Sequence, residues 1–329
     1  MSRRSKFPKT GEDLQLDAYW RRSTRGPLFI EVRLGRDAWP ARPWDSLGKT
    51  GRAAERRLDG VIVLGEKHDG DHGARSHQAF AESVPRWREA ARECEVIEVK
   101  AGLSEYVIGQ ALVGRWLFEQ QVGLPIARTL ILARHQDTAM QWVAKQLGIA
   151  VDNPREPGRQ VPTRSRYQYA VRDVELQRID LYQRNHGGTG MWLTRVPIAG
   201  DAWETSGDQR PAAQTFVPFI RVPGESSKGV VVFEPRHRKL LDRDDLELVC
   251  VSRHRLGRGA VGLAASHALL FRQRYGRPVA RCRIVCGVTD LAVEAACGAI
   301  GGSHGLPPVE IVEVGGVAAT DVDPRGVEP

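Results

Sequence analysis

Residues 123–128 read GLPIAR and residues 276–281 read GRPVAR, an offset of 153. The match extends both ways at the same offset. GQALVGRWLFEQQVG (109–123) answers GLAASHALLFRQRYG (262–276), and LILARHQDTAMQWVA answers RIVCGVTDLAVEAAC. Upstream the order is kept while the offset drifts. GVIVL (60–64) answers GVVVF (229–233), Asp37-Ala38-Trp39 answers Asp201-Ala202-Trp203, and Leu14-Gln15 answers Leu176-Gln177. Preserved order with drifting offset is the pattern left by duplication followed by changes in loop length. A chain of 329 residues is also longer than one ordinary core, so two units are expected on size alone. Residues 152–165 (DNPREPGRQVPTRS) are polar, Pro-rich and without apolar period, which reads as a linker between units 1–151 and 166–329.

Each unit is expected to run through the same elements. An alternating strand pair comes first, LQLDAYW with PLFIEVRL, echoed by VELQRIDLY with MWLTRVPIA across a turn at Asn185-His186-Gly187-Gly188. A short apolar strand follows (GVIVL or GVVVF), then another (EVIEVK or ELVCVS). A long helix spans about 104–121 or 259–274. A strand (TLILAR or CRIVCG), a second helix and a last strand (IAV or VEIVEV) complete the unit. Strands without polar alternation, set between helices, predict an α/β fold with a sheet covered on both faces.

Composition narrows the class. The formal net charge is +8, from 48 basic and 40 acidic residues, which favours an anionic partner such as nucleic acid. Only 8 of the basic residues are Lys, so each Lys is informative. No run of about 18 apolar residues exists to span a membrane, and the basic start MSRRSKFPKTGED lacks the apolar stretch of a secretory signal. The five cysteines form no CxxC pair, which fits reduced thiols in a cytoplasmic protein better than disulfides or a zinc site.

Three residues of the first unit combine into chemistry. Asp59 directly precedes the apolar strand GVIVL, and Glu98 and Lys100 share one face of the strand Glu95–Lys100. Two carboxylates can hold a hard divalent cation through oxygen, and a neighbouring Lys can orient or deprotonate the bound water and offset charge developing on a phosphate. The order Asp, apolar strand, Glu-x-Lys on another strand, then the helix step Gly109-Gln110-Ala111 resembles the PD-(D/E)XK nuclease superfamily over residues 45–150. The sequence departs from that pattern in having Leu58 rather than Pro before Asp59, and its gap of 39 residues from Asp59 to Glu98 is long. The resemblance implies two tandem restriction-endonuclease-like α/β units, each a central mixed sheet flanked by helices with an αβββαβ core. It implies that Asp59, Glu98 and the Val99 carbonyl hold Mg²⁺ or Mn²⁺, that Lys100 positions the water, and that Gln110 steadies the site. The substrate class implied is nucleic acid, DNA first, and a homodimer would supply a second cut. At the repeat offsets Lys228 replaces Asp59, Val251 replaces Glu98, Arg253 replaces Lys100 and Leu263 replaces Gln110, so the second unit is expected to be inactive.

Other features compete. Asp17 with Glu31 and Arg33 forms a rival acid and Glu-x-basic set, and Glu55, one helical turn before Asp59, is either an extra acid from a leading helix or a solvated partner for Arg52 or Lys49. His68, Asp69, Asp71, His72 and His77 are a candidate transition-metal loop. Arg86, Arg88 and Arg92, the arm Arg3, Arg4, Lys6 and Lys9, and the trio Arg253, Arg255 and Arg258 are candidate phosphate contacts. A non-catalytic nucleic-acid-binding protein and a nucleotide-sensing α/β protein are the alternative functions. The absence of a Gly-rich phosphate loop after any strand counts against the latter.

Overall fold

The computed structural model describes residues 11–23, 25–35, 38–67, 75–135, 137–153, 173–186, 190–199, 215–225, 230–252 and 255–315. The fold is α/β, with two mixed sheets flanked by helices. The first half runs α1 (Gly11–Ser23), β1 (Leu28–Leu34), β2 (Arg56–Val63), α2 (His77–Glu89), β3 (Cys94–Gly102), α3 (Glu105–Gln121), β4 (Ile126–His135), α4 (Thr138–Gln146) and β5 (Ile149–Asp152). Its strands lie in chain order, β1 and β2 antiparallel to their neighbours, β3 to β5 parallel. The second half runs α5 (Asp173–His186), β6 (Gly190–Ala199), β7 (Thr215–Pro223), β8 (Val230–Val232), β9 (Glu247–Val251), α6 (Arg258–Tyr275), β10 (Arg281–Cys286), α7 (Leu291–Ile300) and β11 (Val309–Glu313). Its sheet order is β11-β10-β9-β7-β6-β8, with the same pattern of antiparallel and parallel pairs from β6 to β11.

Two expectations about local structure are corrected. LQLDAYW and VELQRIDLY are helical, forming α1 and α5. The side chains they bury show why: Leu16, Tyr19 and Trp20 in one, Arg178, Ile179 and Tyr182 in the other, spaced by three and four. That is helical period, and the alternating Leu14 and Leu176 that suggested strands are exposed. Asn185 and His186 therefore end a helix instead of opening a hairpin, and Gly187 and Gly188 lie outside the described residues. GVVVF is not the counterpart of GVIVL either. Its Val230–Val232 form the edge strand β8, beside β6, whereas residues 60–63 of GVIVL belong to β2, which lies between β1 and β3. The Asp-Ala-Trp echo, Lys228 and Arg253 fall wholly or partly outside the described residues. So does the expected linker beyond Asn153, while Asp152 ends β5.

The true counterparts follow from register. The β2–β3 ladder runs from Val63↔Cys94 to Gly60↔Ile97, and the β7–β9 ladder ends at Phe219↔Val249. The next positions would set Asp59 opposite Glu98 in one sheet and Pro218 opposite Cys250 in the other. Core membership agrees. Leu58, Val61 and Val96 share a core with Val217, Ile220, Leu248 and Cys250, whereas Val249 and Val251 face the opposite side of their sheet. Side chains alternate along a strand, so a one-residue shift would swap every face. One backbone detail is common to both halves. Glu31 of β1, opposite Asp59, has φ 54°, and Arg195 of β6, opposite Pro218, has φ 59°. Non-glycine residues rarely adopt this left-handed conformation, which costs on the order of 1 kcal/mol or more.

One apolar core joins the halves. It takes the inner faces of both sheets and the helices α3 and α6, which cross at Gly109 and Gly262. A Cβ on Gly109 would meet the Arg258 carbonyl oxygen at 2.0 Å, and one on Gly262 would meet the Glu105 carbonyl oxygen at 1.8 Å. The contacts are reciprocal: α3 packs on α7 as α6 packs on α4. Smaller clusters lie on the outer faces, under α1 on the first sheet and under α5 on the second. No helix among the described residues is long and apolar enough to cross a membrane. The five cysteines are free and buried, and burial pushes the Cys94 and Cys250 thiols up to about 12.

Candidate active site

Strand register brings the two acids together. Where the β2–β3 ladder stops, Asp59 Oδ2 accepts a hydrogen bond from the Val99 main-chain N–H at 2.7 Å. The side chain thus takes over where main-chain pairing ends. Glu98 points into the joint core and is 1% exposed. The lack of a side chain at Gly114 of α3 makes its room: a Cβ there would come within 3.3 Å of Glu98 Oε1 and 2.8 Å of a Leu58 methyl. Neither oxygen of Glu98 accepts a hydrogen bond from an N–H or O–H of the described residues, and the carboxyl lies within hydrogen-bonding reach of Asp59, to which it can donate when protonated. Burial, and then the negative charge of Asp59, raise its pKa well above the ordinary carboxylate range.

Lys100 stands on the same face as Glu98, at the rim. Its Nζ lies 3.1 and 3.2 Å from the two carboxylate oxygens of Glu12 and 3.4 Å from Asp59 Oδ2. Burial alone pulls the ammonium down, but Asp59, Glu12 and Glu98 outweigh it and the net shift is upward. Lys100 is therefore held protonated. It can donate to water or to a phosphate oxygen but is a poor proton acceptor, which narrows the roles expected for it to the orienting one.

Glu12 was not expected here. It enters because α1 docks through Leu16, whose methyls fill the space above Gly60, where a Cβ would sit 2.9 Å from Leu16 Cδ1. Glu12 lies one turn from Leu16 on the same helix face and so reaches Lys100. Reading α1 as a strand removed that signal. Gln110 on α3 is buried, with its Oε1 lacking a partner among the described residues. The long gap from Asp59 to Glu98 is explained by α2, which is inserted between β2 and β3.

The rival features resolve into ion pairs and caps. Asp17 pairs with Arg21 at 2.9 Å and Glu31 with Arg57 at 2.7 Å. Residues 51–55 are not helical, and Glu55 lies 3.8 Å from Arg33 and 3.6 Å from Arg57, not beside Arg52 or Lys49. Arg86 and Arg92 hold Glu66, and Arg88 donates to the Val122 carbonyl at the end of α3. Arg255 pairs with Asp290 at 3.0 Å. Of the His/Asp loop, His77 begins α2, its ring accepting or approaching the Arg33 N–H at 3.3 Å. The residues His68, Asp69, Asp71 and His72, and the arm Arg3 to Lys9, lie outside the described residues.

The donor set suits a hard cation in one respect: a buried carboxylate without a donor lies beside a second carboxylate. No group of three or more His, Cys, Asp or Glu side chains gathers around a common point among the described residues. Mg²⁺ sites commonly use only one or two carboxylates, with water and substrate phosphate completing the shell. Compared with protein-family models, curated proteins and solved structures, the chain matches none.

Proposed function

We propose that the chain is a divalent-metal-dependent phosphodiesterase of the PD-(D/E)XK type acting on nucleic acid, DNA first, built from two tandem restriction-endonuclease-like units of which only the first is competent. The observation that carries this reading is the buried carboxyl of Glu98, which no donor reaches among the described residues, facing Asp59 at the end of a strand ladder, with Lys100 two residues on. The first half also has the element order implied by the resemblance: helix, three antiparallel strands, helix, parallel strand, with α2 as an insertion.

Asp59 and Glu98 would hold Mg²⁺ or Mn²⁺, with the Val99 carbonyl as a candidate third ligand. A cation bound there would polarise the phosphate and acidify coordinated water. Hydrolysis forms one P–O bond from water and breaks the P–O bond to the leaving sugar oxygen, which gains a proton. The Lys100 ammonium donates to the attacking water or to a non-bridging phosphate oxygen, and Glu12 keeps that ammonium charged and placed. Gln110 offers its amide from α3.

The second unit lacks every one of these groups. By register its counterparts are Pro218, Cys250 and Ser252, with Leu263 for Gln110. The replacements are mutually consistent. His267 occupies the position of Gly114, so an imidazole stands where the first half leaves room for a carboxylate. It is fully enclosed, and burial lowers its pKa to about 3, so it is neutral. The reading is tested by incubating plasmid, linear duplex and single strands with Mg²⁺, Mn²⁺ or EDTA. Wild type should cleave only with metal, and Asp59→Ala, Glu98→Ala and Lys100→Ala should not. Metal-dependent cleavage that survives Glu98→Ala overturns it, and binding without cleavage favours a non-catalytic nucleic-acid-binding protein.

A further inference from the structure

The crossing of α3 and α6 turns the first turn of each helix toward the other half. Glu105 and Arg258 occupy matching positions, and the carbonyl of each abuts the glycine of the opposite helix. Their surroundings differ. Glu105 is half-buried near Asp137, and desolvation raises its pKa. Arg258 lies close enough to the first half's site for its charge to act on Glu98 and on Arg56. Its Nη1 is buried and has no acceptor among the described residues. The neighbouring Arg56 and Arg255 both pair with Asp290, at 2.9 and 3.0 Å, Arg255 keeping its buried Nε without an acceptor among the described residues, whereas Arg258 forms no such ion pair there. A guanidinium N–H without an acceptor, on the turn of α6 that abuts Gly109, thus acts on a buried carboxyl that no donor reaches, each at a desolvation cost that an incoming group can relieve. A phosphate diester fits the guanidinium, offering paired anionic oxygens to a planar donor fork.

We propose that Arg258 of the second half holds the substrate phosphate in the first half's site, so that the inactive half completes the active one. This rests on the phosphodiesterase reading. Arg258 stays protonated and transfers no atom. It donates hydrogen bonds to a non-bridging oxygen, which gains charge as water adds to phosphorus.

The test compares single-turnover cleavage of one duplex by the full chain and by Arg258→Gln, Arg258→Lys and Glu98→Ala. Binding of the same duplex in EDTA and Mn²⁺-induced thermal stabilisation are measured alongside. Arg258→Gln should slow cleavage on the order of 100-fold and Arg258→Lys about 10-fold, as loss of one positioned donor does. Duplex affinity in EDTA should change by less than about 3-fold, since one contact among many is lost, and Mn²⁺ stabilisation should persist. Glu98-dependent cleavage indifferent to Arg258→Gln overturns this proposal alone. Absence of any Glu98-dependent cleavage overturns the phosphodiesterase reading and this proposal together. Should Arg258→Gln melt early, Arg258→Lys decides: partial activity supports the proposal, and wild-type activity overturns it.

Discussion

The two halves share one backbone plan and differ in what fills it. At the end of the β2–β3 ladder the first half sets Asp59 against Glu98, and the second sets Pro218 against Cys250 at the matching place. Around the first pair the protein leaves room and cost: a glycine at 114 and a carboxylate with no donor. In the second, buried His267 stands at the position of that glycine, and nothing charged is left at the counterparts of Asp59, Glu98 and Lys100. Yet the left-handed residue opposite each pair, Glu31 or Arg195, is present in both. A strained conformation that persists where the acids are gone belongs to the strand plan, not to the chemistry. The comparison separates what the fold requires from what the site requires.

The sharpest way to break this comparison is at the helix N-caps. Asp137 caps α4 by accepting the Met140 N–H at 3.0 Å. Its counterpart Asp290 caps α7 and also takes Arg56 at 2.9 Å, Arg255 at 3.0 Å and the Ala54 N–H at 3.2 Å, joining the halves. Asp290→Ala strands buried Arg56 and is expected to cost about 4 kcal/mol, in the range for breaking a buried ion pair. Asp137→Ala removes only a cap and is expected to cost about 1 kcal/mol. Urea denaturation of the two variants checks the ratio; equal costs would mean that Asp290 does not tie the halves.

Next in size is the helix crossing. Gly109→Ala and Gly262→Ala each drive a methyl into the opposite carbonyl, at 2.0 and 1.8 Å. Each is expected to cost about 3 kcal/mol, since an over-packed crossing must shift its backbone. Because one core serves both halves, unfolding should stay a single transition that moves to lower denaturant. A split into two transitions would show that the halves fold independently.

Much of this was legible in the sequence, for reasons that can be located. The match at offset 153 identified the pairs Gly109 with Gly262 and α3 with α6, because helix packing on a shared core preserves spacing and small residues. The alternation in Glu95–Lys100 placed Glu98 and Lys100 on one face correctly. The upstream alignment failed because three consecutive valines at 230–232 mimic a central strand, whereas β8 is an edge strand and β7, reading TFVPFIRVP, carries two prolines. Glu12 was missed because α1 is short and its apolar residues permit either period. Arg258 was visible only as one of several basic residues, since the reach of its charge to Glu98 depends on the crossing of two helices from different halves.

The pH dependence of the site distinguishes the halves further. Glu98 has a raised pKa in the fold and an ordinary one in the unfolded chain, so the fold prefers it protonated. The stability that goes with the protonated form is complete below the ordinary carboxylate range and is lost as pH rises through the raised value. Glu98→Gln removes this titration. In EDTA it should raise the melting temperature by several degrees at pH 8 and have little effect near pH 4. Mn²⁺ should stabilise wild type at pH 8 but not Glu98→Gln, with proton release on binding. Cys250→Ser, at the matching position, should show neither pH dependence nor a metal effect. A pH-independent Glu98→Gln effect would mean that the carboxyl does not titrate in the fold.

The smallest expected effect concerns Glu12, which only supports Lys100. Glu12→Gln removes one of the carboxylates that hold the ammonium, while Asp59 remains at 3.4 Å and Glu98 behind it. The Glu12 side chain is 46% exposed, so water already screens much of its charge. Cleavage should fall only a few-fold, roughly the effect of a solvent-screened pair. The alkaline limb of the pH–rate profile should move to lower pH, because Lys100 loses part of what keeps it charged. Glu12→Asp shortens the reach but keeps the charge, so it should restore the position of that limb more than the rate. A profile unchanged in Glu12→Gln would show that Lys100 takes its charge from Asp59 and Glu98 alone, and that α1 contributes packing through Leu16 without contributing to the chemistry.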